Sequence, residues 1–149
     1  MVNHGGMEDL KFHREITKSL VEEIAHQTVA CAIQVHKTFG PGLLESIYES
    51  AFKEELRHAG LQFTSQKKIQ VPYRSITLDV DFRYDVVVEG LVICELKAVD
   101  SILPVHQAQL LSYLRLLNLP KGIILNFHAE VLTKGMKTFV SKTYAQLPP

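Results

Sequence analysis

Between Leu91 and Ala98 a strongly apolar segment carries two charged side chains, Glu95 and Lys97, among Val92, Ile93, Cys94 and Leu96. A short run of this make-up predicts a strand, and a strand so apolar belongs in the middle of a sheet. An idle carboxylate and ammonium would be costly there. Glu95 and Lys97 are two residues apart, so their side chains share one face, with the peptide carbonyl of Leu96 between them. The fold is therefore constrained to give that face an opening where charge is useful.

The rest of the chain supplies layers for such a strand. From Ser19 to Phe39, Leu20, Ile24, Thr28, Cys31, Val35 and Phe39 recur at helical steps, with Ser19 and Glu22 as a capping box. Gly40-Pro41-Gly42 breaks this helix, and a second stripe follows in Leu44, Tyr48, Ala51 or Phe52, Leu56 and Ala59, closed by Gly60. Gln62 to Tyr73 predicts a strand ending in a turn marked by Pro72 and Ser75. Thr77 to Val88 predicts another, with Asp79, Asp81, Arg83 and Asp85 on one face and Val80, Phe82, Tyr84, Val86 and Val88 on the core face. Glu89-Gly90 signals a hairpin into the Leu91–Ala98 strand. Pro104 opens a helix carrying Leu110, Leu111, Leu114 and Leu117, and Ile123 to Phe127 predicts a buried strand reached by that helical crossover.

The expected order is α-α-β-β-β-α-β, an α/β fold with a central mixed β-sheet flanked by helices. One domain over residues 19–140 is expected, with an N-terminal extension over 1–18 and a C-terminal tail over 141–149; Val131 to Pro149 predicts a short helix or strand and then a loose end. A chain of 149 residues, 46% hydrophobic and 21% charged, suits one core.

Sixteen basic residues balance sixteen acidic ones, so no global field marks a nucleic-acid or membrane binder, and any such partner must meet a local patch. The halves differ: residues 1–100 hold eleven basic and fifteen acidic residues, the remainder five and one. Cys31 and Cys94 lack metal-site or disulfide spacing and read as reduced thiols. No apolar run approaches the ~20 residues that span a bilayer, and Met1 to Arg14 has no signal-type apolar stretch, so a cytoplasmic protein with no membrane partner is expected.

Asp85 joins Glu95 and Lys97 only under a parity condition. Both carboxylates lie on one face if the hairpin loop around Gly90 has three or five residues; a two-residue loop separates them. Together, Asp85, Glu95 and the Leu96 carbonyl make an all-oxygen donor set suited to Mg²⁺ or Mn²⁺, with Lys97 beside it to orient a water or neutralise transition-state charge. The alternative is a surface hairpin with an ordinary ion pair.

Asp85 and Glu95-Leu96-Lys97 in this element order resemble the PD-(D/E)XK nuclease superfamily, with Tyr84 in place of the proline of its name. More narrowly, Gly42-Leu43-Leu44-Glu45-Ser46-Ile47-Tyr48, preceded by Val35-His36-Lys37 and Gly40-Pro41, resembles the GxxExxY protein family of that superfamily, as do Glu95-Leu96-Lys97-Ala98-Val99 and Leu103-Pro104-Val105-His106. The resemblance implies the restriction-endonuclease-like fold and a metal-dependent nuclease acting on DNA or RNA. It also implies that Glu45 reaches the site from the first core helix as an added metal ligand or an acceptor for a metal-bound water; by its position alone Glu45 can equally serve a helix N-terminus. Gln109-Leu110-Leu111-Ser112-Tyr113 resembles the QxxxY motif of exonuclease-like branches. Gln109 and Tyr113 share a helical face with His106, all three able to point at the metal or a phosphate. Arg83 is a candidate phosphate contact or a partner for Asp81. His36 either satisfies carbonyls at its helix end or lies near the site. The rival reading is a non-catalytic module that grips nucleic acid or protein on the same fold. A monomer or a homodimer fits either.

Overall fold

The computed structural model describes residues 14–79 and 81–149, so most of the expected N-terminal extension, and Val80, lie outside the described residues. Two helices come first, α1 (Lys18–Phe39) and α2 (Glu45–His58). Strands β1 (Phe63–Ser65), β2 (Val71–Tyr73), β3 (Ile76–Leu78), β4 (Val86–Val88) and β5 (Val92–Lys97) follow. Helix α3 (Pro104–Leu117) leads to β6 (Lys121–Asn126), and a 3-10 turn (Leu132–Gly135), β7 (Met136–Val140) and α4 (Lys142–Ala145) complete the order. The five-stranded sheet runs β1-β4-β5-β6-β7, with β5 parallel to β6 and the other neighbouring pairs antiparallel. The apolar strand with two charges is thus the middle one. Among the described residues no helix is long and apolar enough to cross a membrane.

Each face of the sheet buries its own core. Val86, Val88, Val92, Cys94, Leu96, Ile123 and Leu125 pack under α1 and α2, with Tyr48, Phe52 and Leu56 of α2 fully buried. Val87, Ile93 and Ile124 meet Leu110, Tyr113 and Leu114 of α3. This helix lies close because β6 offers Gly122: a Cβ there would stand 3.1 Å from the Leu110 side chain. Burial on both faces explains why β5 and β6 read as nearly continuous apolar runs.

The α1–α2 connection is pinned by one side chain. The Tyr48 hydroxyl donates to the Gly40 carbonyl at 2.5 Å and accepts from the Leu43 N–H at 3.1 Å, while its ring stacks on Phe127 at 4.6 Å. Gly42, at φ +108, supplies the turn that an L side chain resists. Tyr48→Phe keeps the stack and loses both hydrogen bonds, so denaturant unfolding should show about 1–2 kcal/mol less stability. An unchanged midpoint would mean that the hydroxyl does not hold the loop.

Several expectations are corrected. Thr17, not Ser19, caps α1, its Oγ1 accepting from the Leu20 N–H at 3.0 Å, because Thr17 is the last extended residue before the helix. Gln62–Tyr73 is not one strand: Gln66 takes φ +54 and divides it into β1 and β2. Thr77–Val88 likewise breaks into β3 and β4. Phe82, Tyr84 and Asp85 spend backbone groups on 66–69 instead: Gln66 N–H donates to the Tyr84 and Asp85 carbonyls, and Ile69 N–H to Phe82. Phe82, expected in the core, is 48% exposed as a result. Among the described residues hairpin β2–β3 pairs only with itself. The expected loose C-terminus is docked, the Pro148 and Pro149 carbonyls accepting from the Lys18 and Ser19 N–H groups at the start of α1.

Candidate active site

The loop from β4 to β5 is Glu89-Gly90-Leu91, three residues, and the register pairs Val86 with Cys94. The parity condition is met. Asp85 therefore stands opposite Glu95, both on the α3 side of the sheet, with Lys97 following on that face.

Strand β4 begins only at Val86, so the β4 side of β5 is uncovered beyond Cys94. The Asp85 side chain takes over there, its Oδ2 accepting from the Leu96 N–H at 2.8 Å. A strand residue sends its N–H and C=O toward the same neighbour, so the Leu96 carbonyl faces this opening as well. The Lys97 carbonyl faces the other way and accepts from Phe127 N–H at 2.8 Å.

Glu95 is 5% exposed, and among the described residues its Oε1 has no hydrogen-bond partner. Burial first, then the charge of Asp85, then a hydrogen bond between the two carboxyls push the Glu95 carboxyl far above the usual carboxylate range; Lys97 opposes this only in part. That shift favours the protonated form of the Glu95 carboxyl at neutral pH. Across from it, Tyr113 is buried on α3, its phenol raised by burial and by the Glu95 charge, with Gln109 Nε2 donating to its hydroxyl at 2.9 Å. Of the QxxxY pattern, Tyr113 is the residue within reach of the carboxyl charges, and Gln109, exposed on α3, connects to them through its bond to the Tyr113 hydroxyl.

Other candidates are placed more loosely. Glu45 is exposed in the first turn of α2, where it complements the helix dipole. The α2 carboxylate that connects to the site is Glu49, one turn on. Gln66 Nε2 donates to both Glu49 oxygens at 3.0 and 3.2 Å and to Asp85 Oδ1 at 3.4 Å, while Lys53 pairs with Glu49 at 3.2 Å. Glu49 and Gln66 were not legible as site residues. Glu49 had a signal, sitting on the same helical face as Glu45; Gln66 had none, because its reach depends on a left-handed backbone. Arg83 pairs with Asp81 at 3.3 Å and donates to the Gln66 carbonyl at 3.4 Å. His106 is half-buried; its Nδ1 accepts the Leu103 N–H at 3.0 Å, which leaves the ring proton of the neutral tautomer on Nε2. His36 does not satisfy a carbonyl of its own helix end: its Nε2 bonds the Ala129 carbonyl at 2.7 Å. Cys31 and Cys94 are buried free thiols raised by burial, hence poor nucleophiles.

Among the described residues no three His, Cys, Asp or Glu side chains converge as a ready metal cluster. Two carboxyls, a backbone carbonyl and an orphaned buried carboxyl oxygen nevertheless fit a hard divalent ion that keeps several waters, as Mg²⁺ does.

The PD-(D/E)XK nuclease superfamily model matches residues 22–139, which contain every candidate site residue above. No curated protein and no solved structure shows a significant match.

Proposed function

Since the chain belongs to the PD-(D/E)XK nuclease superfamily, we propose that it is a Mg²⁺- or Mn²⁺-dependent nuclease that hydrolyses phosphodiester bonds of DNA or RNA. The observation that carries this reading is the buried Glu95 carboxyl, with one oxygen unpartnered among the described residues, against half-buried Asp85 and beside Lys97 on one sheet face. A structural ion pair would leave no such oxygen. In this reading Asp85, Glu95 and the Leu96 carbonyl hold the ion, which when bound supplies Lewis acidity toward water and phosphate.

This chain's own residues do the rest. The Leu96 N–H and Gln66 fix Asp85, so that Asp85 does not reorient during reaction. Lys97 brings an ammonium to the attacking water and the non-bridging phosphate oxygens. Water oxygen bonds to phosphorus as the phosphorus–oxygen bond to the leaving sugar breaks; the attacking water gives one proton to solvent, and the sugar oxygen takes one from solvent water. Gln109 and Tyr113 orient the substrate from α3, with Arg83 and His106 at the rim as phosphate contacts. Glu45 contributes through the α2 N-terminus, beside Glu49, which braces Gln66. The turn pinned by Tyr48 gives the Gly42–Tyr48 motif a structural reason and supports placement in the GxxExxY branch.

Calorimetric titration of Mg²⁺ and Mn²⁺ into wild type and Glu95→Ala tests the site directly. Wild type should bind one ion, with proton release, and Glu95→Ala should bind at least tenfold more weakly. Equal binding by both proteins would remove Glu95 from the metal site.

A further inference from the structure

Beyond the carboxylates the surface turns aromatic and basic. Phe82 is 48% exposed, yet its ring lies only 6.5 Å from that of Tyr113, tilted by 58°. Tyr113 in turn feels the charges of Glu95 and Asp85. Phe82 therefore stands at the mouth of the site, three residues before Asp85. On the self-paired β2–β3 hairpin, Tyr73 and Ile76 are each 56% exposed, and the Arg74 guanidinium lies 5.8 Å over the Tyr73 ring. Lys67, Lys68, Arg74 and Arg83 are all exposed, against Asp79 and Asp81. The Arg83–Asp81 pair is solvent-exposed, so little holds Arg83 away from a competing phosphate.

The ligand that fits must offer a flat apolar face and an anion side by side, next to a scissile phosphodiester. An unpaired nucleotide does so. In a duplex each base face is covered by its neighbours, so a protein ring cannot stack there without unstacking a step first. Exposed aromatics interleaved with cations are the means by which proteins hold single strands.

We propose that Phe82 is a stacking platform for an unpaired base adjoining the cleaved phosphate, with the basic residues around the β2–β3 hairpin following the backbone, so that a single strand is the preferred substrate. This rests on the nuclease reading above and assigns its substrate class.

The chain contains no tryptophan, so Phe82→Trp introduces a single indole at the platform. The probes are oligothymidylate and a blunt duplex, each labelled for anisotropy, with Ca²⁺ replacing Mg²⁺ to slow cleavage. Oligothymidylate should quench the indole and bind more tightly than the duplex. Phe82→Ala should weaken its binding by on the order of tenfold, and Phe82→Trp should restore it. Binding seen by anisotropy without quenching, and unaffected by Phe82→Ala, overturns the platform and leaves the nuclease reading standing. Tighter binding of the duplex overturns it too. Absence of binding to either probe by wild type removes the platform and the nuclease reading together. Self-association that Phe82→Ala abolishes in sedimentation, with oligothymidylate binding intact, would assign the ring to a second copy of the chain instead.

Discussion

Replacing Lys97 with alanine should lower Mg²⁺-dependent cleavage by on the order of 10² or more while leaving Mg²⁺ binding near its wild-type strength. The asymmetry follows from where the side chain stands. Lys97 is on the Glu95 face but is only half-buried, and its charge offsets only part of the upward shift on the Glu95 carboxyl. It is not a ligand, and its removal takes no donor from the ion. In the proposed mechanism its ammonium acts on charge that develops during reaction, so the loss should fall on turnover. A binding module behaves in the opposite way. There Lys97 is one phosphate contact among several, so its loss weakens affinity and reduces the salt slope by roughly one unit with no turnover to lose. Both quantities should be measured on one substrate, with Glu95→Ala alongside. Cleavage unchanged in both variants would trace the activity to a contaminant or to another site.

Asp85, Glu95 and Lys97 could be placed on one face by strand alternation once the hairpin loop had an odd length, and Glu89-Gly90-Leu91 provides it. Gln109 and Tyr113 could be aligned by helical spacing. Two-residue alternation misled at Phe82, where periodicity suggested a core position and the backbone left β5 for the 66–69 segment. That departure depends on Gln66 adopting φ +54, a conformation Gln does not advertise. The same turn carries the Gln66 amide to Asp85 and Glu49, so one unpredictable dihedral hid both the strand break and two residues around the site. Contacts set by the third dimension, such as His36 on Ala129 or the C-terminal carbonyls on α1, carry no periodic signal at all.

Glu95→Gln should make the protein more stable in EDTA, and increasingly so as pH rises. The Glu95 carboxyl is pushed up to about 9 in the folded protein, by burial first and then by Asp85, against an ordinary value of 4.5 unfolded. Between those values the folded state keeps a proton that the unfolded state has lost, so stability falls with rising pH across that window. Below the unfolded value both states are protonated and the penalty vanishes; above the folded value it is constant. Glutamine has nearly the shape of the protonated acid, donates to Asp85, and does not titrate. Near pH 7 the gain should be about 2–3 kcal/mol by denaturant unfolding, shrinking toward zero near pH 4. If Glu95 holds the ion as proposed, adding Mg²⁺ should reverse the order, because the ion would stabilise the wild-type carboxylate and find a poorer ligand in the amide. A stability difference that does not change with pH, or one that Mg²⁺ leaves untouched, would show that the proton on Glu95 is not what the divalent ion displaces.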